Sequence, residues 1–200
     1  MTRKLRLCGA VAGPFYLVVG ILQGLFREGF SFERHPLSVL ANGSLGWIQT
    51  ANFLISGGLV IAAAVGITRT LERGSRGLTW TLYGYGGAMI AAAIFTADPV
   101  DGFPPGTPLG FPTSISTKGL LHFACGALAF LCLALGGFFG AWTFWRRQMT
   151  SLAALSLVSG LVVLLGFFGG FFLPFGIAGI WAAVVVGWAW LSTVSLRLNT

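Results

Sequence analysis

The sequence predicts an all-α polytopic membrane protein, one bundle of six transmembrane helices with both termini cytoplasmic. Three observations predict it. The 200-residue chain is 56% hydrophobic and only 8% charged, where a soluble domain carries about a quarter charged residues. Six apolar segments reach the roughly 20 residues that cross about 30 Å of hydrocarbon. Nine of the 12 Lys and Arg residues fall on one side of those segments. The same composition excludes disorder, a coiled coil and a cytosolic enzyme. Six spans fill the chain, so 1–200 reads as a single domain.

The first span, 8–26, follows Arg3, Lys4 and Arg6. It is too long for a signal-peptide core and lacks a small-x-small cleavage site, so it reads as retained. In the loop after it, Pro36 is expected to open a short helix with His35 extended before it. Asn42-Gly43 reads as a turn and Ser44 as a cap for the second span. That span, 49–68, begins with Gln49, Asn52 and Ser56 at i, i+3 and i+7, a polar stripe that must face protein or water. Hydrogen bonding between helices is its first explanation.

Arg69, Arg73 and Arg76 separate the second span from the third, 77–96. The loop at 97–117 holds five of the eight prolines and three glycines, the mark of an irregular but stiffened cover. Span four is 119–142, followed by Arg146 and Arg147; span five is 152–173; span six, 177–196, closes at Arg197.

Short loops that keep cations stay cytoplasmic. The opposite face has only Arg27, Arg34 and Lys118, together with Glu28, Glu33, Asp98 and Asp101; Glu72 alone is inside. Net charge +7 therefore reports orientation and implies no nucleic acid. Tryptophan favours the interface, which places Trp47 and Trp181 at outer ends and Trp80, Trp142, Trp145, Trp188 and Trp190 at inner ones. Cys8, Cys125 and Cys132 lie in spans and leave no external pair for a disulfide. Beside His122 they read as small packing residues and not as metal ligands.

Small residues recur at helical spacing: Gly9, Gly13, Gly20 and Gly24; Gly84, Gly87 and Ala91; Cys125, Ala129, Cys132, Gly136 and Gly140; Ser156, Ser159, Gly166 and Gly170. Such stripes let helices approach closely in lipid. Asp98 and His122 stand at the outer ends of two of them and are expected to point into the bundle, with Lys118 or Arg34 as partners for Asp98.

Arg34-His35-Pro36-Leu37-Ser38, Asn42-Gly43, Gly46-Trp47-Ile48-Gln49, Phe53 and Gly57-Gly58 resemble the first-loop signature of a prokaryotic six-span family known as domain of unknown function 998. Phe95-Thr96-Ala97-Asp98-Pro99 and Gly119-Leu120-Leu121-His122 resemble its other two landmarks. The resemblance covers essentially the whole chain. It implies a multi-pass protein of the prokaryotic plasma (inner) membrane with cytoplasmic ends, and brings no substrate or catalytic residue.

Functional readings converge on Arg34, His35, Ser38, Asp98, Lys118 and His122, with Gln49 and Asn52 nearby. One reading is a structural clamp holding the loops. A second is an outward-facing polar pocket for a lipid or small amphiphile, in which Arg34, His35 and Lys118 donate to an anionic head. A third is a lipid-modifying hydrolase or transferase, with Ser38 as nucleophile, His35 or His122 as base and Asp98 as orienter, or with His35, His122 and Asp98 around zinc. Paired histidines on haem are a further alternative. The reading carried forward is the pocket, with no cofactor and no metal, and with a partner protein left open.

Overall fold

The computed structural model describes residues 1–71, 75–110, 112–170 and 176–198. They form α1 (Thr2–Phe26), a 3-10 turn (Leu37–Ala41), α2 (Gly46–Leu71), α3 (Arg76–Ile94), α4 (Thr117–Arg146), α5 (Thr150–Gly169) and α6 (Gly176–Arg197). Each predicted span has its helix. Several outrun the apolar segment: α1 starts at Thr2 and α4 continues to Arg146, because backbone groups stay paired when a helix continues into the interface. Five of the six are long and apolar enough to cross a bilayer, all but α3, so this is a membrane-embedded chain. Glu72, Arg73 and the end of the fifth predicted span lie outside the described residues.

The helices form a ring in chain order, each packed on its sequence neighbours and α1 closing on α6. Glycine makes the seams. A Cβ on Gly57 would stand 2.7 Å from the Gly86 carbonyl, and one on Gly137 2.7 Å from the Gly160 Cα. Gly66 lies against the Arg6 backbone and Gly9 against Ser195. With no hydrophobic drive between helices in lipid, close backbone approach supplies the attraction. In α3 the small-residue stripe falls elsewhere than predicted: Gly87 is exposed, and the buried face runs through Leu78, Leu82, Tyr85, Gly86 and Met89.

Two tryptophans depart from their predicted interface positions. Trp188 and Trp190 are buried inside the ring. The Trp190 indole lies over Gly136 and Gly140 of α4, and its Nε1–H donates to Ser156 Oγ of α5 at 2.8 Å. It plugs the interior at the end toward Arg146 and Arg197. Two glycines on α4 make the room, which is why a ring can have a filled centre. Trp47, Trp80, Trp142 and Trp145 stay exposed on the outer wall.

At the other end the two long loops lock together. Phe103 is fully buried against Phe30 and His35, with the Arg27 guanidinium 5.1 Å over its ring. Arg27 also donates to the Leu40 and Asn42 carbonyls, and its burial draws its pKa below the ordinary guanidinium value. Pro36 precedes the 3-10 turn as its N-cap instead of opening it. The first turn of α2 is held by backbone carbonyls, with Gly46 N–H on Gly43 O and Ile48 N–H on Leu45 O, in place of a Ser44 cap.

Candidate functional site

Beneath this roof the ring is hollow. A cavity of about 350 Å³ lies within the span typical of small-molecule pockets, about 300–1,000 Å³. Its floor is Trp188, whose ring packs 5.3 Å from Tyr16 and 5.4 Å from Tyr85. Phe53, Met89, Ala92, Gly126, Phe130 and Val184 wall it, and Arg34, Ser38 and Asp101 reach it from the roof. Phe53 and Met89 each sit about one helical turn from the seam glycines Gly57 and Gly86, so the ring widens within a turn of its closest helix contacts.

The eight sequence candidates separate. Arg34, Ser38 and His122 line the cavity; His35, Gln49, Asn52, Asp98 and Lys118 do not. Asp98 stays outside the cavity and lies against Gly119 at the start of α4. Its carboxylate accepts from Ser116 N–H at 2.8 Å and Ser116 Oγ at 2.5 Å, while Ser116 Oγ accepts from Gly119 N–H at 3.0 Å. Ser116 is the N-cap of α4, so Asp98 fixes a cap at a helix start, where negative charge is favoured. The expected pairing with Lys118 or Arg34 is replaced by this one, and Lys118 is exposed. Arg34 instead faces Asp101, 3.6 Å to the carboxylate and 3.3 Å to the carbonyl.

The two histidines carry opposite tautomers. His35 Nδ1 is 3.0 Å from the Ser31 amide, which can only donate, and its Nε2 is 3.1 Å from the Asp101 carbonyl, which can only accept. His35 is therefore protonated at Nε2, fully buried, and spent at both nitrogens on joining the loops. His122 Nδ1 lies 2.7 Å from the Phe95 carbonyl and 3.2 Å from that of Ala92. Both only accept, so here Nδ1 carries the proton. The bond satisfies carbonyls left over at the end of α3. His122 Nε2 has no hydrogen-bond partner among the described residues.

Gln49 and Asn52 belong to the α1–α2 seam. Gln49 Oε1 accepts from Gln23 Nε2 at 2.9 Å and Asn52 Nδ2 at 3.2 Å, Asn52 Nδ2 also donates to the Tyr16 carbonyl, and Ser56 Oγ donates to Asn52 Oδ1. This is the interhelical hydrogen bonding their spacing predicted. The Ser38, histidine and Asp98 side chains form no hydrogen-bonded relay, and no three His, Cys, Asp or Glu side chains gather among the described residues. Residues the sequence reading passed over are Asp101, Phe103, Tyr16 and Tyr85. Asp101-Gly102 carried a signal in its turn-forming pair, and both have positive φ; the tyrosines, set among apolar neighbours, carried none.

Residues 10–197 match the model of a family described as protein of unknown function, DUF998, and the chain belongs to that family. No curated protein and no solved structure gives a significant match.

Proposed function

We propose that this DUF998 member is a six-span protein of the cytoplasmic membrane that holds an amphiphile in its central cavity. The apolar part lies between the helices and the head lies under the roof. The observation that carries this reading is the cavity itself: largely apolar walls, Arg34, Ser38, Asp101 and His122 toward the roof, and a ring plugged by Trp190 at the other end. Preformed pockets of this composition are the usual sites for apolar ligands.

Two features support all six helices as spans with both termini inside. Arg3, Lys4, Arg69, Arg76, Arg146, Arg147 and Arg197 lie at the helix ends away from the roof, the arrangement that cytoplasmic loops adopt. The polar groups that lower the hydropathy of α3 are largely internal to it. Thr79 Oγ1 donates to the Ser75 carbonyl, Thr81 Oγ1 donates to the Gly77 and Leu78 carbonyls, and Tyr85 faces the ring.

The lipid-modifying alternative gains no support, since Asp98 and His35 are committed to Ser116 and to the roof backbone. The test is lipid mass spectrometry on purified wild type and Gly126→Leu. Gly126 lines the cavity and has open space where a Cβ would stand, so a leucine there starts from open space and takes up cavity volume. Wild type should carry a copurifying amphiphile that Gly126→Leu lacks. Equal lipid content in both would overturn the reading.

A further inference from the structure

We propose that the head group taken by the cavity is an uncharged hydroxyl, as in a long-chain alcohol, donating its hydrogen to His122 Nε2. This rests on the amphiphile reading and makes it specific. His122 is only 8% exposed, yet it lines the cavity with one ring nitrogen unpaired. Its tautomer is set by the two α3 carbonyls on Nδ1, so Nε2 offers a lone pair and asks the ligand for a donor. A carboxylate, or a phosphate that has lost both protons, only accepts and meets that lone pair with its own.

The donors the sequence reserved for an anion are engaged or distant. Arg34 is opposed by Asp101 and donates to the Asp101 carbonyl. Both nitrogens of His35 are used in the roof, and Lys118 lies outside the cavity. An anion entering here would be buried against an already neutralised arginine, a costly placement. A hydroxyl needs no counter-charge. From His122 down α4 to Phe130, the deepest α4 residue on the wall, the helix descends about 12 Å, the depth left for an apolar chain.

The test uses the full chain in phosphatidylcholine nanodiscs. Bromoundecanol, its methyl ether, bromoundecanoate and bromoundecyl phosphate are compared as quenchers of the tryptophan fluorescence from Trp181 and Trp188, which line the cavity. Quenching that survives in Gly126→Leu is subtracted as arising from the bilayer. The alcohol should bind about tenfold tighter, by mole fraction in the bilayer, than the ether or either anion, the discrimination expected for one buried hydrogen bond. His122→Asn, whose amide can still donate to the α3 carbonyls, should abolish that preference.

An ether or an anion binding as tightly as the alcohol would overturn the hydroxyl assignment and leave the amphiphile reading standing. The same holds for an unchanged preference in His122→Asn. If none of the four probes gives cavity-dependent quenching, both fail. The ether comparison needs only wild type, so the assignment is tested even if His122→Asn does not fold.

Discussion

Gly126 and Gly137 lie three turns apart on the same helix, and they do opposite things. Around Gly137 the ring is closed: its Cα faces Gly160 and the Ser156 carbonyl of α5 at backbone distance. Around Gly126 the ring is open, with no atom within 4 Å of a Cβ built there. One glycine is a helix contact and the other is part of a hollow. A small residue in a membrane helix thus has two meanings, and only the neighbouring helix decides between them. The α4–α5 seam at Gly137 specifies the fold by shape, whereas the hollow beneath the roof must be held shut by bonds between loops.

The sharpest break would come at the closed end. Gly137→Val places branched carbons against the α5 backbone, which cannot rotate away as a side chain can. A loss of roughly 3 kcal/mol or more is expected, read as a large fall in melting temperature in detergent. Little change would mean that α4 and α5 do not meet through this seam.

The roof should fail differently. His35→Ala leaves the Ser31 amide without its imidazole partner and the Asp101 carbonyl with Arg34 alone, costing about 1–2 kcal/mol. The effect should be local. Limited proteolysis within 27–45 and 95–116 should quicken more than the melting temperature falls, because the backbone-to-backbone contacts at Gly57–Gly86 and Gly137–Gly160 do not involve the loops. A global collapse of equal size would show that the roof and the ring fold as one unit.

Asp98→Asn should be milder. Asparagine keeps one oxygen for Ser116 and loses the charge at the start of α4, a change of about 1 kcal/mol. Copurifying lipid should be unaffected, since Asp98 does not line the cavity. Lipid loss in Asp98→Asn at unchanged stability would restore it as a ligand-binding group.

These contrasts follow the division between what was legible in the sequence and what was not. Spans, seam glycines and the polar stripe of α2 obey short-range rules: about 20 apolar residues, spacing of three and four, a polar group needing a partner in lipid. Gly9, Gly13, Gly20 and Gly24 are accordingly all buried. Pairings across the molecule obey no such rule. Asp98 and Asp101 are three residues apart in one proline-rich loop, and nothing in their order says which meets Ser116 and which meets Arg34. Trp188 and Trp190 end a span as interfacial tryptophans do, but Gly136 and Gly140 on another helix draw Trp190 inward. His35 and His122 were equal candidates until backbone partners fixed opposite nitrogens as donors.

The finest test of the comparison is a single methyl placed at each glycine. In the middle of a helix, alanine in place of glycine restricts the unfolded chain and favours the folded one by about 0.4–1 kcal/mol when space permits. At Gly126 space permits, so Gly126→Ala should raise the melting temperature slightly while trimming the cavity. At Gly137 the same methyl would lie 2.7 Å from the Gly160 Cα, and the entropic gain is overwhelmed by the clash. One methyl should therefore stabilise at one site and destabilise at the other, on one helix and in one assay. Two shifts of the same sign would mean that α4 is equally free, or equally packed, along both halves, and the hollow would lose its boundary.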